Sequence, residues 1–225
     1  AYHPNTVFSS IDQMGRYAYA RQPEIAKWNL LCFAETLIPL FSEPAKSVIP
    51  ALKESLHNFD NVFKNNYLFG MRKKLGFSNE RTEDARLIEE LLDKMAKNKA
   101  DYTLTFRKLS ELKFDDCTND YNVGNLFSVP SDFDEWAVKW RNRLYEDPIS
   151  DFERKLMMDR INPVYIARNH RVEQAISAAV NNEDFTPFHT LNSLLAKPFE
   201  FNKQYMEFAD APSDDQLVYE TFCGT

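Results

Sequence analysis

Chemistry in this chain would first be sought among its four histidines and three cysteines. His3, His57, His170 and His189 lie far apart, and none has a cysteine or carboxylate at metal-ligand spacing. They read as solvent-facing or capping side chains. The acidic run "DDCTNDYNVG" superficially resembles a calcium loop, but it lacks the glycine at the sixth position and has Phe127 where the twelfth-position glutamate belongs, counting from Asp116. A solvated turn fits it better. Cys32 lies in an apolar run, where a thiol behaves as a small hydrophobe, and Cys117 reads as inert. Cys223, close to the end of the sequence, is the redox candidate, because an exposed thiol can be oxidised. Arg16 follows Gly15 in a segment that also holds Asp12, Tyr17 and Tyr19. Such an arginine can contact a phosphate or anchor its loop through a carboxylate, and the spacing favours the anchor, with Asp12, Arg16 and Tyr17 as its members. No Ser/His/Asp, Cys/His or paired-carboxylate constellation stands out, so the residue chemistry alone specifies no active site.

Composition narrows the setting for these residues. The 225 residues are 44% hydrophobic and 14% aromatic, which is globular and large enough for a sizeable core. Only five glycines are present, too few for Gly-rich phosphate loops or a doubly wound nucleotide fold. A net charge of −7 argues against a nucleic-acid surface. No apolar run approaches the roughly 20 residues of a membrane span, and no leader-like segment opens the sequence. Three widely spaced cysteines fit a reducing compartment better than a disulfide framework.

The elements that must position the candidates are helical. Residues 1–22 read as a loop, and Pro23 then opens a helix to about Ile38 that is apolar nearly all round, a pattern expected of a helix buried on most sides. A second helix is expected over 45–64, and "LFGMRKKLGF" reads as helix with a glycine stop near Gly76. Leu87, Ile88, Leu91, Leu92 and Met95 form a stripe at helical spacing, with acids early and lysines late as the helix dipole favours. A helix follows Asp101, and 113–132 is the longest loop. Ser131 can cap a helix whose Phe133, Trp136, Ala137, Trp140 and Leu144 share a core face; Ser150 with Glu153 fits a capping box; Asn162-Pro163 reads as a helix start; a last helix covers about 187–195. The expected fold is all-α, about eight helices in one domain, with an extended tail over 198–225.

Four segments, in order, resemble the selenoprotein O family of pseudokinase-fold protein adenylyltransferases: "GRYAYARQPEIAKWNLLCFAETLIPL", "MRKKLGF", "INPVYIARNH" and the ending "YMEFADAPSDD" followed by Cys223. The resemblance covers essentially the whole chain. It implies the C-terminal half of a longer protein that binds ATP and Mg²⁺ and transfers AMP to Ser, Thr or Tyr hydroxyls of protein substrates. The family's catalytic, nucleotide and metal residues would all lie upstream, leaving none in this stretch, so the fragment alone is expected to be inactive.

By the same resemblance, residues 1–22 are the activation-segment equivalent, 23–197 a helical kinase C-lobe-like domain and 198–225 the tail carrying Cys223. The partners implied are the N-terminal half of the same protein and protein substrates, with self-association of the fragment through the apolar surface left uncovered. The implied compartment is the bacterial cytoplasm, or the mitochondrion in a eukaryote. Some family members pair an activation-segment cysteine with the C-terminal one; that position falls at Phe8 here, leaving Cys32 as the alternative partner if the tail packs there. A non-catalytic helical binding or regulatory module is the competing reading.

Overall fold

Helix is the only regular structure among the residues described, 1–221, in the computed structural model of this chain. The α-helices are α1 (Gln22–Leu37), α2 (Ala45–His57), α3 (Phe59–Lys74), α4 (Asp84–Lys97) and α5 (Tyr102–Leu109), then α6 (Tyr121–Gly124), α7 (Pro130–Leu144), α8 (Asp151–Asp159), α9 (Asn169–Asn182) and α10 (Thr186–Leu195). The all-α expectation holds, with ten helices rather than about eight. One expected helix, 45–64, is interrupted at Asn58, whose side chain type competes with helical backbone bonds, and α3 runs on to absorb "MRKK". Short α6 forms inside the expected loop.

The chain divides into two units, with the boundary between Gly70 and Met71 inside α3. The larger comprises Ala1–Tyr2 and Met71–Tyr219; the smaller comprises His3–Gly70 and the described end of the tail, Glu220 and Thr221.

In the larger unit the 3.6-residue stripes do what their spacing predicts. Leu87, Ile88, Leu91, Leu92 and Met95 of α4 are buried, and so are Phe133, Trp136, Ala137, Trp140 and Leu144 of α7. Each buried indole also finds an acceptor, Trp136 Nε1 donating to Leu87 O (2.9 Å) and Trp140 Nε1 to Leu75 O (2.9 Å). The capping box at α8 forms as the sequence specifies, with Ser150 and Glu153 exchanging bonds.

Two helix starts differ from expectation. Pro130 itself opens α7, and the N-terminal donor at Val129 is taken by Asn98 Oδ1 (2.8 Å) rather than by Ser131. Asn162 caps nothing; α9 begins at Asn169, because the Asn162 amide is recruited elsewhere, as described below.

The smaller unit is thinly cored. Its buried hydrophobic residues are Ala18, Ala34 and Val48. The expectation that 23–38 is buried on most sides is therefore corrected: Trp28, Leu30, Leu31 and Phe33 of α1 are all exposed, Phe33 to 59%. The helix forms where the sequence places it, but within this chain only Ala34 finds full cover.

Candidate functional site

The opening loop is held in shape by its own backbone and one carboxylate. Tyr19 N–H donates to Thr6 O (2.9 Å) and Ala20 N–H to Pro4 O (2.9 Å), so residues 4–20 close on themselves. Inside that closure Asp12 Oδ1 accepts the Arg16 N–H (2.8 Å) and Oδ2 the Tyr17 N–H (2.7 Å). Gly15, at φ +62°, supplies the left-handed turn that delivers both donors to one side chain. Asp12, Arg16 and Tyr17 are thus brought together, though through main-chain donors. The Arg16 guanidinium goes to an aromatic ring instead of a carboxylate, lying 4.4 Å from the Trp28 ring centroid and 5.8 Å from that of Tyr17.

The tail returns to this loop. Ser10 N–H donates to Thr221 O (2.7 Å), Thr221 N–H to Ser10 Oγ (3.1 Å), and Thr221 Oγ1 to Phe8 O (3.0 Å). The chain two residues before Cys223 is therefore fastened at Phe8. Cys223 itself lies outside the described residues. Cys32 is half-buried on α1, and Cys117 is exposed.

In the larger unit two of the singled-out sequence segments meet. Lys74 of "MRKKLGF" donates from Nζ to Asn162 Oδ1 (3.2 Å), and Asn162 Nδ2 donates back to Lys74 O (3.0 Å). The Lys74 amine also sits 5.3 Å from the Phe106 ring centroid and 5.6 Å from that of Tyr102. Burial lowers its pKa, since the charged ammonium is poorly solvated there. Arg107 Nη1 donates to both Asp159 O and Asn162 O (3.1 Å each), fixing the turn before Pro163. Arg168 of the same segment forks onto Asp101, at 2.7 and 3.2 Å. Burial works to raise the Asp101 pKa, but the Arg168 guanidinium and the Leu104 N–H outweigh it and hold the carboxyl below its ordinary value.

A second cluster was not legible from sequence. Asp84 is fully buried and accepts from Arg72 Nε (2.8 Å), Arg143 Nε (2.7 Å) and the Arg81 N–H (2.8 Å). Its place in the first turn of α4 reads in sequence as one more dipole-compensating acid; burial gives it a different task. Beside it, Asp147 accepts the Ser78 N–H (2.7 Å) and hydroxyl (2.6 Å), and Arg154 Nη1 donates to Gly76 O (2.7 Å). Burial pushes the Asp147 pKa up, and the Ser78 bonds with nearby Arg154 bring it below the ordinary value. Together these bonds fix the "LGF" turn, where Gly76 stands at φ +82° with Met158 and Arg154 against it.

The histidines separate. His3 Nδ1 accepts the Asn5 N–H, a capping role, whereas His170 is buried with neither ring nitrogen hydrogen-bonded, contrary to the solvent-facing or capping expectation. Burial, then the Arg171 and Arg168 charges, lower its pKa. Asp116 and Asp120 form the expected turn: Asp116 accepts the Thr118 N–H (2.9 Å), and Asp120 pairs with Arg141 Nη1 (2.7 Å). Among the described residues no group of three or more His, Cys, Asp or Glu could hold a metal ion, and no helix is long and apolar enough to cross a membrane. What the arrangement does chemically is position backbone.

Comparison with known proteins agrees with the segments that meet here. A family model described as protein adenylyltransferase SelO matches residues 1–196. A protein nucleotidyltransferase YdiU of Bradyrhizobium diazoefficiens is 49% identical over all of this chain, and one of Rhodopseudomonas palustris is 45% identical, also over all of it. In each case the match covers 45% of the relative, so the chain spans about half the length of these curated relatives. The chain belongs to the protein adenylyltransferase SelO family.

Proposed function

We propose that this chain is the C-terminal, supporting part of a protein adenylyltransferase that transfers AMP from ATP to Ser, Thr or Tyr hydroxyls of protein substrates. In this proposal residues 1–22 are the activation-segment equivalent, 23–197 the C-lobe-like body and 198–225 the tail. The observation that carries it is the uncovered apolar surface of α1 in a family member of partial length. Trp28, Leu30, Leu31 and Phe33 are exposed on a helix whose composition calls for cover on every side. The N-terminal half of the same protein is the proposed cover, and without it the fragment self-associates through that surface and is inactive.

By the family resemblance, ATP and Mg²⁺ belong to the parent's other half in this reading. Electrostatic clamps on the transferring phosphorus are the main source of rate in phosphoryl chemistry. This chain contributes the frame beneath them: the Asp12-held loop, and the Arg16–Trp28 stack that ties the loop to α1. Bacterial relatives make the bacterial cytoplasm the proposed compartment.

The test compares ATP labelled at the α- and γ-phosphates. The full-length parent with Mg²⁺ should label protein from α-labelled ATP only, and this chain alone should label nothing. Label arriving only from the γ-phosphate means a kinase. No labelling by the parent favours a non-catalytic helical binding module.

A further inference from the structure

Helix α7 has two working faces. One carries the buried Phe133, Trp136 and Trp140; the other carries Asp134, Val138 and Arg141 and is continued by the C-cap residue Tyr145, spaced by four, three and four residues and therefore aligned in a second stripe. This second stripe and the segment Phe114–Asp120 enclose an open groove of about 550 Å³. That size suits a few side chains of a ligand. Its floor is apolar: Phe114 meets Tyr145 edge-on, ring centroids 5.3 Å apart, and Val138 lies alongside. Val138 of α7 and Tyr145, the residue that caps its C-terminus, are 60% and 66% exposed.

Around that floor stand four aspartates, Asp115, Asp116, Asp120 and Asp134. The one cation lining the groove, Arg141, is already committed. It pairs with Asp120 through both terminal nitrogens and donates to Lys113 O (3.0 Å) and Asp116 O (3.2 Å), so four of its five N–H groups are engaged and no two-donor fork is left for an anionic ligand. Hydrogen bonds from the Thr118 hydroxyl and N–H hold the Asp116 carboxyl below its ordinary pKa, so it stays charged near neutrality. Lys113, which also acts on Asp116, is exposed. The groove is therefore apolar beneath and acidic above.

We propose that this groove docks a basic segment of a partner protein, an extended stretch in which arginine or lysine alternates with leucine- or phenylalanine-sized side chains. Alternation sends successive side chains to opposite sides of an extended peptide, one set onto the Phe114–Tyr145 floor and the other to the aspartates. Arginine suits this rim best, because its fork matches a carboxylate and its plane stacks on the Tyr145 ring. The overall charge of −7 adds long-range attraction for such a partner. The proposal rests on this groove alone and stands whether or not the parent transfers AMP.

The test uses the whole chain and a short fluorescein-labelled peptide alternating arginine with leucine, read by fluorescence anisotropy. Binding is expected to saturate and to weaken as salt is raised. The double variant Asp115→Lys, Asp134→Lys, both sites being exposed, should lower affinity by about tenfold or more. Tyr145→Ser should lower it as well, with melting of both variants unchanged. A peptide with glutamate in place of arginine that binds equally well, or a folded double variant that binds like the wild type, overturns the proposal. Placement is read separately from an environment-sensitive fluorophore on Cys117, in a Cys32→Ser, Cys223→Ser background. Its emission should shift across the titration; emission that stays still while the peptide saturates overturns the assignment to this groove.

Discussion

Removing the Asp84 carboxylate should be among the most damaging single changes in the larger unit. Asp84 is 0% exposed, and Arg143 is 3% exposed in its side chain, with Arg72 at 11%. Asp84→Ala removes the buried carboxylate that both guanidinium groups share, leaving as carboxylate partners only the exposed Glu80 for Arg72 and Asp147, at 3.9 Å, for Arg143. It also leaves the Arg81 N–H without its acceptor. Hydrogen bonds to charged groups contribute roughly 1.5–3 kcal/mol each, but they are not additive within one cluster. The better guide is the cost of removing one partner of a buried ion pair, about 3–5 kcal/mol. A loss near 4 kcal/mol is a large share of the ~5–15 kcal/mol typical of a domain.

Glu80 supplies the internal control. It also pairs with Arg72, at 3.1 Å, but its side chain is 77% exposed, so Glu80→Gln should cost no more than about 1 kcal/mol. Urea unfolding followed by tryptophan fluorescence measures both. Trp136 and Trp140 report on the larger unit, and a Trp28→Phe background removes the signal of the smaller one. Asp84→Asn, which keeps the shape and one acceptor, serves if the alanine variant is too unstable to isolate. A loss under about 1 kcal/mol for Asp84→Ala, or an equal loss for Glu80→Gln, would refute the claim that burial sets the magnitude.

Two glycines should respond oppositely to alanine. At Gly76 a Cβ would meet Met158 Sδ at 2.7 Å and Arg154 Cγ at 2.8 Å on a backbone at φ +82°, so Gly76→Ala should cost about 2–4 kcal/mol in the same urea assay. Gly70, inside α3 with nothing within 4 Å, should gain about 0.5–1 kcal/mol on the same change. Asp12→Ala should speed hydrogen exchange at the Arg16 and Tyr17 amides by about tenfold, the loss of roughly one net hydrogen bond, while exchange in α4 stays unchanged. Acidification should destabilise the larger unit in two stages. His170, whose folded pKa is depressed chiefly by burial, binds its proton more readily unfolded, so stability falls as pH drops below about 6.5. Asp101, whose folded pKa is depressed, contributes stability that is present above its unfolded value near 3.9 and is lost as pH falls through the folded one. His170→Leu should remove the first stage and Asp101→Asn part of the second, in urea midpoints measured from pH 7 to pH 3.

Legibility followed the range of the forces involved. Local periodicity fixed α4 and the aromatic face of α7, because both stripes bury against elements present in this chain. Side chain and backbone within one turn were enough for the Ser150–Glu153 capping box and the Gly76 stop. Asn162-Pro163 carries an equally good local start signal, yet no helix begins there, since the Asn162 amide is bonded to Lys74, 88 residues away. Asp84 was hidden for a related reason: a first-turn acid looks the same in sequence whether its partner is the helix dipole or two distant arginines. For α1 the sequence specified the helix but not its surroundings, because an all-round apolar pattern states a demand for cover without saying which chain supplies it.

That distinction bears on what the family resemblance in this stretch consists of. The residues of "MRKKLGF" and "INPVYIARNH" that make identifiable contacts are architectural. Arg72 compensates Asp84, Lys74 and Asn162 bond each other twice, Gly76 provides the one turn its neighbours leave room for, and Arg168 forks onto Asp101. Each bond joins segments separated by 12 to 88 residues, apart from the turn at Gly76. Apart from Gly76, substituting one of them leaves a charge or amide without its partner, which is costly at once and hard to mend by a second local change. Such residues can identify a family without taking part in its chemistry, because a fold with buried polar stitches constrains the residues that make them. In this half of the protein, the motif marks the frame.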